Sequence, residues 1–319
     1  MQIIRSLSEI SPSKVPVVAT IGNFDGVHLG HRQIFRRVRE IAGSIGGISA
    51  VITFIPHPLK VVKSTKQLAL ITTYDEKEVL IAESRIDMLL VVPFTTEFAA
   101  ISAREFVRDV LANRLGISRL VIGYDYSFGR DREGNAATLK GMGRDYGFSV
   151  EVMEPIGHDG LIYSSSAIRR MVSLGDVSGV VRLLGRHFSV AGSVAHGYHR
   201  GVSLGYPTAN ILTDKELVPA SGVYAVIVQV GDSLLQGACN IGHNPTFANE
   251  ERSIEVFLFD FSGDLYGCEL RLHFIDRIRD EQCFSGIDEL KQAIAADVAC
   301  CRRILSMRAL IEFHENPGG

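Results

Sequence analysis

The chain has 319 residues, of which 46% are hydrophobic and 22% charged, and its formal net charge is −3. That length exceeds what one hydrophobic core organises, so two domains of roughly 100–200 residues each are expected. No apolar run is long enough to span a bilayer, and no Lys/Arg run or aromatic-basic stripe offers a nucleic-acid surface. The opening Met1-Gln2-Ile3-Ile4-Arg5 carries neither signal-peptide nor transit features, so the expectation is a cytoplasmic protein with small-molecule ligands and no membrane or nucleic-acid partner. Five cysteines without a C-x-x-C pair argue against a disulfide framework and against a zinc site.

From Val15 to Met153 short β-branched runs alternate with stretches of helical period. Val15 to Gly22, Ile48 to Phe54, Met88 to Pro93, Leu120 to Tyr124 and Ser149 to Met153 read as strands, which predicts an α/β domain with a parallel sheet. After the first strand, Ile34, Phe35, Val38, Ile41 and Ala42 share one stripe of a helix, with Arg32, Arg36, Arg37 and Arg39 off it. His28-Leu29-Gly30-His31 therefore sits on a strand-to-helix turn, at the carboxyl end of a strand, where open α/β sheets bind ligands. Leu174 to Arg186 reads as a short helical connector. Beyond it, Phe188 to Ala195, Val223 to Val230, Leu234 to Ile241, Ser253 to Asp260 and Glu269 to Phe274 are strand-like with no helical period between them, which predicts an antiparallel sheet or small barrel. A closing helix is announced by Ser285 with Asp288 three residues on, and carries Ile287, Leu290, Ile294, Val298, Ile304 and Leu305 on one face.

His28 and His31 lie three residues apart across Gly30, and the glycine-rich approach from Gly22 lets backbone come close to a ligand while the next helix offers free N–H groups. Two imidazoles beside a helix N-terminus suit a polyphosphate; taken alone, the pair fits a structural cap or part of a metal site equally well. The Tyr163-Ser164-Ser165-Ser166-Ala167-Ile168-Arg169-Arg170 segment offers hydroxyls, amides and Arg169 to a phosphate, or is a serine-capped surface helix. Phe54 with Pro56-His57-Pro58, and Gly123-Tyr124-Asp125-Tyr126-Ser127-Phe128-Gly129, form two more strand-end loops whose aromatics line a pocket or belong to the core.

In the second half no G-x-x-x-x-G-K-[ST] occurs, so an ATP site there is not of the Walker type. The loop from Gly192 to Gly205, containing Gly197 and Gly201, runs into Pro207-Thr208-Ala209-Asn210. If that corner is extended, Thr208 and Asn210 share a face and present hard oxygens suited to Mg²⁺; a Pro-led turn with Asx hydrogen bonds is the other reading. Alternation along Ile254 to Asp260 puts Glu255 with Phe257 and Phe259. A carboxylate on an aromatic face needs a partner or a task, and accepting the proton of an alcohol is one; a salt-bridged strand glutamate is the other.

The ten residues Gly22 to His31 resemble the H-x-G-H signature of the nucleotidyltransferase superfamily, and Ser164 to Arg169 its phosphate motif. With the glycine loop, Pro207 to Asn210, Gly222-Val223-Tyr224, Asn240-Ile241-Gly242, Pro245-Thr246-Phe247, Glu255-Val256 and Asp264 to Gly267, the sequence from about residue 15 to 300 resembles the prokaryotic bifunctional riboflavin kinase/FAD synthetase family. The resemblance implies a Rossmann-like nucleotidyltransferase domain over residues 1–173, a connector over 174–186, and a six-stranded antiparallel barrel with a C-terminal helix over 187–319. It implies phosphorylation of riboflavin to FMN by Mg²⁺-ATP and adenylylation of FMN to FAD. His28, His31 and Arg169 are then catalytic in the first reaction site and Glu255 in the second. Gly22, Phe24, Gly30, Ser164 and Ser165 bind ATP phosphates in the first domain, and Gly197, Gly201, Thr208 and Asn210 in the second. Thr208 and Asn210 hold the metal, while Phe54, Asp125 and Phe128 line the flavin site. Val202, Ser203 and Phe257 depart from the residues usual in the family. A chain with one active half, or a flavin-sensing binding protein on the same scaffold, is the rival expectation.

Overall fold

The computed structural model describes residues 1–11, 13–62, 68–158, 160–195, 204–243, 252–313 and 315. By internal contacts the chain forms two compact units, Met1–Ser165 together with the tail from Phe313, and Ser166–Glu312. No described helix is long and apolar enough to cross a membrane.

The first unit is built on a six-stranded parallel sheet. Its strands are β1 (Gln2–Ile4), β2 (Val17–Ile21), β3 (Ile48–Ile55), β4 (Met88–Pro93), β5 (Ile117–Gly123) and β6 (Ser149–Met153), in the order β1-β4-β3-β2-β5-β6. All five residues of β2 are buried, as a strand covered on both faces requires. Helices α1 (Leu29–Ser44), α2 (Pro58–Val62), α3 (Tyr74–Glu83), α4 (Thr96–Ala99), α5 (Ala103–Glu105, continuing as a π-helical stretch to Arg114) and α6 (Ala136–Tyr146) make the connections. The parallel sheet inferred from alternating patterns is therefore present, with one addition. Strand β1 is only three residues long and half exposed, too short for periodicity to register.

A two-stranded hairpin, β7 (Gly157–His158) with β8 (Leu161–Ile162), precedes α7 (Ser165–Ser173) and α8 (Val181–Leu184). Val177, Val180, Leu183 and Leu184 are fully buried, so the segment read as a connector packs as core. The second unit closes into a barrel from β9 (Phe188–Ala195), β10 (Ala209–Leu212), β11 (Gly222–Val230), β12 (Ser233–His243), β13 (Arg252–Leu258) and β14 (Glu269–Arg279), in the order β10-β13-β12-β11-β14-β9, every pairing antiparallel. The four-residue β10 was not among the strands read from sequence, because its period is too brief to count.

Helix α9 (Ile287–Met307) packs Cys301 and Leu305 against Ala225, Phe259 and Ile275 on the barrel. Its predicted stripe needs correction at the first turn, since Ile287 is exposed and burial runs along Asp297, Cys301 and Leu305, where the helix lies over the barrel. Buried Asp297 is held by Arg279 at 2.7 Å. The start signal is also different: Ser285 stands outside the helix and donates through Oγ to Glu289, at 2.6 Å, and not to Asp288.

Candidate functional site

In the first unit β2 ends at a turn that runs into α1. Phe24 (φ 48°), Gly26 (φ 85°) and Val27 (φ 39°) all have left-handed backbone, a conformation that costs energy for the two side-chain-bearing residues. Four tertiary contacts hold it. The Asp25 carboxylate accepts from the amides of Ile71 (3.0 Å) and Thr72 (3.2 Å), Gly26 donates its amide to Thr72 Oγ1 (3.2 Å), and Phe24 packs edge-on to Phe35 with ring centroids 4.9 Å apart.

His28 caps α1, with Nδ1 accepting the His31 amide at 3.4 Å, which leaves the proton of a neutral His28 ring on Nε2. The two imidazoles stack at 3.5 Å between centroids and 21° between planes. Rings that close cannot both be charged. Burial first, then His28 and Lys77, push the His31 pKa well below its ordinary value, so His31 is a neutral ring at physiological pH. Its Nδ1 is buried with no hydrogen-bond partner among the described residues. Gly30 is required here by space: a Cβ would stand 3.1 Å from the His28 ring and 3.3 Å from Tyr163 Cβ. A Cβ on Gly22 would strike the Phe24 ring at 2.8 Å.

Ser165, 140 residues away in sequence, comes to the same turn, its Oγ donating to the Asp25 carbonyl at 2.9 Å. Ser164 and Arg169 are half-buried on the approach to α7 and along it. Around the strand ends, Phe54, the penultimate residue of β3, packs edge-on with Phe94 (5.5 Å), and Phe94 with Phe98 (5.7 Å). Phe98 continues to Phe106 (6.1 Å), Phe106 to Phe128 (5.9 Å) and Phe128 to Tyr126 (5.7 Å). Phe54 and Phe128 are thus joined through aromatics that sequence reading did not single out. Asp125 is exposed, at the tip of the loop.

In the second unit β10 pairs with β13 so that Asn210 lies opposite Glu255, and β12 brings Asn240 to the other side of the same glutamate. Directly paired residues share a sheet face. Thr208 Oγ1, just ahead of β10, donates to Glu255 Oε2 at 3.4 Å. Strand β13 alternates as expected, with Ile254, Val256 and Leu258 buried and Glu255 and Phe257 half-buried on the other face. Phe257 meets Tyr206 (5.4 Å) and Phe259 (5.7 Å). Thr208, Asn210 and Glu255 are therefore one cluster. Asn240 belongs to it by register, and a Cβ on Gly242 would meet both Glu281 Oε1 (2.7 Å) and Asn240 Nδ2 (3.3 Å), so Glu281 borders the cluster as well. Period-two alternation had a signal for Asn240 once its pairing with Glu255 was known; Glu281 follows β14 and had none. Gly197, Gly201, Val202, Ser203 and Pro245 to Phe247 lie outside the described residues.

Fold and site together define the class: a nucleotidyltransferase-like α/β unit with a histidine turn, joined in one chain to an antiparallel barrel carrying a hydroxyl-amide-carboxylate cluster. The FAD synthetase family pattern matches residues 10–167 and the riboflavin kinase pattern residues 184–305. The bifunctional riboflavin kinase/FMN adenylyltransferase of Pseudomonas fluorescens is 38% identical over 97% of this chain and 99% of its own. The enzyme of that name from Escherichia coli K12 is 36% identical over 96% and 99%. A solved structure described as a macrolide-efflux protein from Streptococcus pneumoniae has a TM-score of 0.86 at 31% identity, covering 94% of this chain and 98% of that one. The chain belongs to the bifunctional riboflavin kinase/FMN adenylyltransferase family.

Proposed function

We propose that the two reactions divide between the histidine turn and the barrel cluster, with residues 1–173 the adenylyltransferase, 174–186 the connector and 187–319 the kinase. The enzyme phosphorylates riboflavin to FMN with ATP and adenylylates FMN to FAD with release of pyrophosphate.

In the first site the attacking group is the FMN phosphate, already an anion, so no general base is needed and catalysis is positioning plus stabilisation of charge at the α-phosphate of ATP. His28 Nε2–H, His31 and the free amides at the head of α1 are the donors, with Ser164, Ser165 and Arg169 added from α7 and its approach. Gly22, Phe24 and Gly30 let the triphosphate approach the backbone. Phe54 and Phe128, with Phe94 and Phe98, form an apolar wall for the isoalloxazine, and Asp125 its polar rim. The observation that carries this reading is the buried, unpartnered Nδ1 of a neutral His31 at the head of a 16-residue helix.

In the second site the acceptor is a neutral alcohol, the terminal ribityl hydroxyl, which must lose a proton as its oxygen bonds to the γ-phosphorus and ADP leaves. Glu255 accepts that proton. The donor set fits Mg²⁺: a hydroxyl, a side-chain amide and one carboxylate leave coordination positions for water and phosphate oxygens, as that ion prefers. Thr208 and Asn210 would hold it, and the bound ion would neutralise charge on the transferring phosphoryl group. Gly197 and Gly201 cover the ATP phosphates in this reading. The enzyme works in the cytoplasm on small molecules alone.

The test is direct. Pure protein with riboflavin and Mg²⁺-ATP is expected to accumulate FMN and then FAD with equimolar pyrophosphate. Absence of both flavin nucleotides, under reducing and oxidising conditions alike, would refute the reading.

A further inference from the structure

One buried cation near the histidine turn belongs to none of the motifs above. Lys77 is on α3, a helix started by a capping box in which Thr73 Oγ1 accepts from the Glu76 amide and Glu76 from the Thr73 amide. Its side chain turns inward and the residue is only 4% exposed.

The Nζ has three donors and finds three neutral acceptors: Thr53 Oγ1 at 3.1 Å, the Asn23 carbonyl at 3.4 Å and the Phe54 carbonyl at 3.5 Å. Thr53 Oγ1 itself donates to the Asn23 carbonyl at 3.2 Å, so the three groups form one knot between the turn and the end of β3. The Tyr74 ring lies 5.4 Å from Nζ. Lys77 makes no ion pair among the described residues. Asp25, the acid of the turn, is already committed to Ile71 and Thr72, and Glu78 is paired with Arg5 at 2.6 Å.

An ammonium buried without a carboxylate carries a desolvation penalty that a methionine of similar length would avoid. Neutral acceptors satisfy its hydrogen bonds, and its charge is offset only at a distance, by Asp25 and Glu78, to neither of which it is hydrogen-bonded. That charge stands beneath a turn which, on the reading above, receives the polyphosphate of ATP and the phosphate of FMN.

We propose that Lys77 is a positioning residue for adenylyl transfer: its ammonium ties the phosphate turn at Asn23 to the end of β3 and holds a fixed positive charge beneath the reacting phosphates. This inference rests on the first site being the adenylyltransferase. Two electrostatic features support it. The Lys77 cation helps to keep His31 uncharged, and burial lowers the pKa of Lys77 itself to about 8, against Asp25 and Glu78, which raise it. The titratable groups on the elements around it are Asp25 in the turn, His28 and His31 at the head of α1, His57 after β3, and Tyr74, Asp75, Glu76, Glu78 and Glu83 on α3.

The experiment measures FMN-to-FAD conversion by the full chain, its Lys77→Met and its Lys77→Arg variants, between about pH 6 and pH 9.5. Riboflavin-to-FMN conversion by the same samples serves as the internal control. Wild-type FAD formation is expected to fall on the alkaline side as Lys77 deprotonates near pH 8. Lys77→Met should lower kcat for FAD by about 10- to 100-fold with FMN formation unchanged. It should abolish the alkaline fall and move the acid limb to higher pH, because His31 no longer feels the cation. Lys77→Arg should recover most of the rate and carry the alkaline fall upward, since a guanidinium stays charged.

Equal loss in both variants with an unshifted pH profile would reduce Lys77 to a structural prop and overturn the proposal, as would a Lys77→Met enzyme with the wild-type rate and profile. A wild-type chain that forms FMN but no FAD would sink the adenylyltransferase reading and this proposal together. Wild-type FAD formation with indifferent variants would sink only the proposal.

Discussion

On the proposed division of the two reactions, the two sites meet phosphate chemistry with opposite equipment. On that division the first unit concentrates its site in the ten residues Gly22 to His31, three of them with left-handed backbone, with a buried and a half-buried imidazole stacked together and a buried ammonium beneath, and places no carboxylate among its reacting groups; Asp25 is consumed in holding the turn. The second gathers its site from three separate strands of a barrel and centres it on a half-buried carboxylate, Glu255. The contrast follows the acceptors. An anionic phosphate has to be tolerated and aligned, whereas a neutral hydroxyl has to be deprotonated. One unit therefore invests in positive potential and the other in a base.

The sharpest way to separate them is to remove the base. Glu255→Gln keeps shape and hydrogen bonding but cannot take up the proton; FMN formation is expected to drop by about 10²–10⁴-fold while FAD formation from supplied FMN is unchanged, as a chromatographic assay of both flavins will read. The reciprocal change, His31→Ala, should cost FAD formation about 10²–10³-fold and leave FMN formation intact. Loss of both products from either variant would mean that the two sites are not independent. Gly30→Ala adds only a methyl, but one 3.1 Å from the His28 ring, and about a tenfold loss in FAD formation alone is expected from the displaced imidazoles.

The comparison extends to histidines with a buried, unpartnered ring nitrogen. His31 has a site to serve, whereas His273 in the barrel, with Nε2 unpartnered, has none assigned; burial first, then Arg271 and His187, lower its pKa to about 4. Unfolded, it titrates near the ordinary 6.5. Between the two values the unfolded chain binds a proton that the folded barrel refuses, so barrel stability should fall as pH drops from about 6.5 towards 4. Thermal midpoints against pH would show this slope, and His273→Phe should flatten it.

The smallest effect concerns the tail. Phe313 is buried against Phe24, Val27 and Phe35, with the Arg32 guanidinium 4.1 Å from its ring centre, and Glu315 accepts from Arg39 at 2.7 Å. Phe313→Ala should destabilise the first unit by about 3 kcal/mol in denaturant melts and leave the kinase reaction untouched.

Much of this is legible in the sequence. Strands β4, β6 and β9 begin and end where alternation and turn residues set them, and the apolar stripe of α1 is the one that packs. The histidine turn was legible because all its parts are adjacent in the chain and its glycine spacing is unusual. Lys77 was not, because a lysine in a charged helical segment reads as solvated surface; only the packing of α3 reveals that it points inward. Phe94 and Phe98 were equally silent, since an aromatic after a strand has no local mark of which neighbour it will stack upon. The first turn of α9 misled for the converse reason, as Ile287 keeps the helical period but lies beyond the barrel surface that would cover it.

The sequence by itself determined the two-unit plan, the parallel sheet, the histidine turn and the identity of Thr208, Asn210 and Glu255. These depend on local period, turn chemistry and residue type, which are properties of neighbours in the chain. Only the tertiary structure decided that Ser165 reaches Asp25, that Asn210, Glu255 and Asn240 share one register, and that the buried Lys77 ammonium bonds the Asn23 carbonyl of the histidine turn, itself glycine-rich and already legible. Those are contacts between segments tens of residues apart. Packing and strand pairing select them, and no local pattern encodes them.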